Sequence, residues 1–161
     1  MRHLAPFATF LSLICAAPAL AQTPATAWTP TTIPWQAAAP NGTKYALLEG
    51  RREPVGGVFT YAFFIPAGVW DSPHHHSTTA RVFVVKGELR LGYGPVADKA
   101  RALRYGEGSL VVVPGGADHF DGADVDTIII GVATGPWSTT YLDTSKPASA
   151  GTPILKADGP K

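Results

Sequence analysis

The sequence predicts an all-β domain, a sandwich or barrel of many short strands. Short apolar runs recur roughly every ten residues, each bounded by Gly or Pro,. Several are β-branched or aromatic, as in Val82-Phe83-Val84-Val85 and Thr127-Ile128-Ile129-Ile130. Such side chains suit a pleated, half-buried surface. No segment keeps a helical period beyond two turns. Seventeen Gly and 15 Pro among 161 residues also oppose a helical bundle, because both residues break helices.

The expected strands lie at 44–49, 57–66, 81–92, 102–105, 109–113, 126–133 and 138–142. In the second of these, alternation puts Phe59, Tyr61 and Phe63 on one face and Val58, Thr60, Ala62 and Phe64 on the other,. The inward face of such a strand lines a pocket or fills ordinary core. Trp70 lies between a glycine, Gly68, and a histidine triplet, where it either walls a cavity or anchors a loop,. Lys86-Gly87-Glu88 reads as a tight turn that divides the third run,. Arg81 and Glu88 flank this strand region as solvated charges or a surface pair,.

The ends of the chain read differently. Arg2 and His3 form a positive n-region, 7–20 is an apolar stretch, and Ala19-Leu20-Ala21 fits a cleavage site,. Residues 1–21 are therefore expected to be an export signal that directs the protein to the periplasm or beyond. Cys15 does not mark a lipid anchor, because the bulky Ile14 precedes it. Removing the signal takes Arg2, His3 and the only Cys, leaving a thiol-free, formally neutral chain suited to an oxidising compartment,. Residues 22–43 form a Pro-, Thr- and Ala-rich arm carrying Trp28 and Trp35,. The body spans 44–143, and 144–161 is a tail of similar composition that frays,.

The charge balance, 13 basic against 12 acidic residues, gives no electrostatic footprint for nucleic acid,. No apolar run is long enough to span a membrane as a helix. The chemistry is left to the four remaining histidines: His74, His75, His76 and His119. In a strand, His74 and His76 share one side and His75 takes the other. His119 follows the strand at 109–113 and the turn Pro114-Gly115-Gly116, so it can reach the same place. Three neutral imidazoles make a metal site with open positions. The same residues also suit a surface turn and one structural histidine. By parity Asp71 and Asp118 face away from their neighbouring histidines and are not expected as ligands.

Spacing adds to this. Gly68-x5-His74-x-His76 is followed by Gly87, and then by Gly108-x5-Pro114-x-Gly116-x2-His119. This resembles the paired motifs of the cupin superfamily, G-x5-H-x-H-x3,4-E-x6-G and G-x5-P-x-G-x2-H-x3-N. The segments Pro66-Ala67-Gly68, Val84 to Leu89, and Gly135-Pro136-Trp137 through Tyr141 are similar to small exported bacterial cupins. Two positions depart from the pattern. The motif Glu, commonly a metal ligand, falls at Ala80 (or Arg81), and the Asn falls at Ala123.

The resemblance implies a cupin-type jelly-roll β-barrel with one mononuclear site held by His74, His76 and His119. Without a carboxylate ligand a divalent ion keeps its full charge, which favours anionic or enol-like bidentate ligands. The set is similar to that of three-His cupin dioxygenases on iron. The expected activity is thus oxygenase-type, on a small dicarbonyl- or enol-like substrate, with Trp70, Phe59, Tyr61 and Phe63 lining the pocket. Fe²⁺ fits an oxygenase, while Zn²⁺, Mn²⁺, Ni²⁺ and Cu²⁺ fit the same donors. The alternatives are a metal-assisted isomerase or lyase, and a non-catalytic module that binds metal or a small molecule. Cupins often dimerise edge to edge. A homodimer is one way to cover the edge strands, and the Pro-rich arm is another.

Overall fold

The computed structural model describes residues 25–142. Ten strands form in the order β1 (Lys44–Gly50), β2 (Val58–Ile65), β3 (His74–His76), β4 (Ala80–Lys86), β5 (Glu88–Tyr93), β6 (Leu103–Gly106), β7 (Leu110–Val113), β8 (His119–Gly122), β9 (Thr127–Thr134) and β10 (Thr139–Tyr141). A short 3₁₀ turn, Lys99–Arg101, lies between β5 and β6. Every expected run is a strand, and 81–92 divides at Gly87 as its composition suggests. The left-handed backbone there (φ 81°) and the close approach of the Asp126 carbonyl leave no room for a Cβ,. The export signal and the C-terminal tail lie outside the described residues.

The strands make two antiparallel five-stranded sheets, β1-β2-β9-β4-β7 and β10-β3-β8-β5-β6. The apolar faces of the two meet. Ile65, Val82, Val84, Leu89, Leu91, Val111, Val113 and Ile129 come from both sheets and form one buried core. Each such side chain contributes about 1.5–3 kcal/mol by leaving water. Period-two alternation puts Phe59, Tyr61 and Ile65 of β2 on this inner side, all buried,.

The arm covers part of the opposite side. Trp28, Trp35 and buried Ile33 pack on Ala46, Ala62 and Ile128, the outer surface of the first sheet. Trp35 meets Phe64 edge-on at 6.5 Å. The Gln36 N–H donates to the Tyr45 carbonyl at 2.9 Å, giving β1 one partner at its open edge. The charged residues flanking β4 and β5 separate. Glu88 accepts from Arg104 at 2.8 Å, while Arg81 is exposed.

Candidate metal centre

The site grows from the second sheet. His74 of β3 and His119 of β8 are directly opposite each other in register, so their side chains leave the sheet on the same side. His76, two residues on, joins them by parity. Ring centroids lie 4.3 Å apart for His74–His119, 4.9 Å for His74–His76 and 5.1 Å for His76–His119. One potential ligand atom from each falls within 4.8 Å of the others. His75 points the opposite way and meets Asp118 at 2.9 Å. Strand parity thus separates His74 and His76 from His75,.

Each ring is pinned through Nδ1. His74 Nδ1 is 2.7 Å from the Ser72 carbonyl, and His119 Nδ1 is 2.8 Å from the Ala117 carbonyl. A carbonyl only accepts, so both Nδ1 atoms carry the proton and both Nε2 atoms keep a free lone pair. His76 Nδ1 lies 3.0 Å from Thr139 Oγ1. Such outer hydrogen bonds fix ring orientation and tautomer in metal-binding histidines. Burial pushes the His76 imidazole down to about 2, reinforced by His74, His119, Arg52 and His75. Burial also lowers His119, with Asp121 opposing. Neutral rings are the form that binds metal. The donor set fits one divalent ion.

Around the rings is a cavity of about 110 Å³, enough for several waters or one small molecule,. Phe59, Tyr61, Phe63 and Trp70 all line it. So does Ala80, where the motif Glu is missing. Trp137 stacks on His76 at 4.3 Å and meets Phe59 edge-on at 5.7 Å.

Two carboxylates also reach the cavity, one of them not expected as a ligand and the other marked by no motif. Asp71 and Asp121 both line the cavity. Parity excludes Asp71 only if the strand extends back to it, and β3 begins at His74. Its Oδ2 accepts from the Tyr141 hydroxyl at 2.9 Å and lies 3.9 Å from His74 Nδ1. Burial and the charge of Asp121 raise the Asp71 carboxyl, against His74, the Tyr141 hydroxyl and the Ser72 N–H. Asp121 has the same parity as His119, a signal usable once 119–122 is known to be a strand. Among the described residues the converging cluster contains the three histidines and no carboxylate. Asp118 faces away from His119, as expected, and lies against His75.

The family model for the ChrR Cupin-like domain matches residues 23–138. The chain belongs to this family. No curated protein matches this cupin. Solved structures share its fold. An RmlC-like cupin from Ralstonia eutropha JMP134 is 22% identical, with a TM-score of 0.56 over 76% of this chain and 75% of that one. The polyketide cyclase RemF from Streptomyces resistomycificus is 18% identical, with a TM-score of 0.55 over 74% and 88%. A variant of salicylate 1,2-dioxygenase from Pseudoaminobacter salicylatoxidans is 13% identical, with a TM-score of 0.53 over 65% and 30%. At these identities the likeness concerns the cupin fold alone.

Proposed function

We propose that this cupin is an exported metal-dependent enzyme of oxygenase type, acting on a small dicarbonyl- or enol-like oxygen donor. The observation that carries the reading is the convergence of His74, His76 and His119 within an apolar-walled cavity, their Nδ1 atoms pinned. When bound, a divalent ion supplies Lewis acidity and, if it is iron, access to O₂ chemistry. His74, His76 and His119 would hold the ion, with their rings already oriented by the bonds at Nδ1. Phe59, Phe63, Ile129 and Leu91 line the cavity and keep water from the bound molecule,. Trp137 fixes the plane of His76. With Ala80 in the motif Glu position, the protein neutralises less of the ion's charge, so an anionic oxygen donor is favoured,.

A second reading is a metal-assisted isomerase or lyase. It is favoured by Asp71 and Asp121, which put two carboxylates within the same cavity where either could hold or accept a substrate proton,.

Elemental analysis of protein purified from its own compartment tests the shared premise. About one equivalent of metal is expected, lost in His76→Ala. Protein that carries no metal and takes up none sinks both readings. Oxygen uptake with a panel of β-dicarbonyls and enols then separates them, since the isomerase or lyase consumes none.

A further inference from the structure

Among the described residues lining the cavity, Arg52 is the single side chain of fixed positive charge. It belongs to the loop between β1 and β2, which is tied down from the far side. The Trp137 N–H donates to the Arg52 carbonyl at 3.1 Å, the Gly56 N–H to the Gly135 carbonyl at 3.0 Å, and the Gly135 N–H to the Gly57 carbonyl at 2.8 Å. The main chain at Arg52 is thus held by its own carbonyl, and its guanidinium is left over for other work. That guanidinium sits 5.9 Å from the Tyr45 ring centroid and 6.0 Å from that of Phe59. No described carboxylate lies within 4.0 Å of it.

Tyr45 stands on the same wall and is only 3% exposed, yet its buried hydroxyl has no acceptor for its proton. A buried hydroxyl left unpaired costs about 1–3 kcal/mol, so such an orphan points to a missing acceptor. Arg52 acts on this phenol by its charge and as a hydrogen-bond donor, both opposing the upward push of burial, and because a guanidinium only donates, the hydroxyl proton is left without an acceptor. Arg52 also acts on His76, so the group lies within electrostatic reach of the metal centre.

The cavity thus carries both signs of charge. Asp71 lies beside His74 and Asp121 acts on His119, whereas Arg52 lies over Tyr45 and acts on His76. Two adjacent donors with no acceptor between them, in an otherwise aromatic wall, match the oxygens of a carboxylate carried on an apolar or aromatic body. We propose that Arg52 and Tyr45 form a carboxylate-binding subsite, and that the substrate is a small organic acid whose carboxylate lies away from the ion. The inference rests on the cavity being a substrate site, as in the function proposed above, and it names the substrate class.

The test titrates full-length protein, metal-stripped and zinc-loaded, with benzoate and with benzamide by calorimetry. The two probes match in shape and differ in charge. Wild type is expected to prefer benzoate by about tenfold or more in both forms. Arg52→Gln should lose that preference while binding benzamide unchanged. Arg52→Lys should keep part of it, and Tyr45→Phe should weaken benzoate severalfold. Circular dichroism melts establish that each variant folds, and if Arg52→Gln does not, the other two variants carry the test. The proposal is overturned if benzoate binds no tighter than benzamide, or if neither binds by about 10 mM. It is also overturned if the preference survives in Arg52→Gln, or appears only with zinc present, which places the carboxylate on the ion. Failure of the metal reading looks different: no zinc is retained, while the preference persists in stripped protein.

Discussion

Between β2 and β9 the ladder runs without a break from Val58↔Thr134 to Ile65↔Thr127, whereas between β3 and β8 the register holds at His74↔His119 alone. The first sheet has strands of up to eight residues. In the second, β3 and β10 have three each. Stability and function are thus divided. The long ladders and the arm make a rigid wall. The histidines sit where pairing is sparse, and side-chain bonds to Ser72, Ala117 and Thr139 orient their rings. A short strand frees its flanking backbone carbonyls for this use, which a continuous ladder would have consumed.

The division can be broken from either side. Ile128 is buried between the arm and the first sheet, on the face of β9 opposite its neighbour Ile129, which lines the cavity. Ile128→Ala should destabilise the protein by about 2–5 kcal/mol, read from urea unfolding, with metal stoichiometry in the folded protein unchanged. Loss of metal at full occupancy of the fold would show that the two regions are coupled. From the other side, Thr139→Val removes the partner of His76 Nδ1 while keeping shape and strand propensity. Metal affinity should fall about 10–100-fold in a chelator competition, with the melting curve of stripped protein little moved. A large shift in that curve would mean that Thr139 serves the fold.

The smallest effect concerns pH. Burial holds folded His76 near 2 and lowers His119, against about 6.5 for free imidazole,. Below 6.5 the unfolded chain therefore binds protons that the folded chain refuses. The stability due to these rings is complete above 6.5 and is lost as pH falls through that value, by at most about 1.4 kcal/mol per pH unit per ring. Asp71, raised in the folded state, opposes this in the acid range. Melting of metal-stripped protein should drop steadily from about pH 7 to 5, and His76→Gln should flatten the slope. A profile already flat in the unsubstituted protein would refute the neutral, buried rings.

Much of this was legible from local pattern. Alternation grouped Phe59, Tyr61 and Phe63 on one face, and sorted His74 and His76 from His75, because a strand's period is set by its own backbone. Gly87 announced its turn for the same local reason. The polar half of the cavity was not legible. Asp71 lies just outside β3, where parity no longer applies, and Asp121 sits on a four-residue strand with little apolar signal. Arg52 lies on a loop whose position is set by Trp137, distant in sequence. Tyr45 was visible as a strand residue, but a hydroxyl without an acceptor is a property of three-dimensional packing.

The stacking of Trp137 on His76 at 4.3 Å and 30° gives the centre a built-in optical reporter. An indole excited state in direct contact with a ligand ring is quenched by an open-shell ion such as Cu²⁺ or Ni²⁺. Zn²⁺, with its filled d-shell, offers no such route. Trp28 and Trp35, on the outer face of the other sheet, supply a steady background emission against which that quenching is read. Whether an ion held there has an open or a filled shell would thereby be written into the light the protein emits.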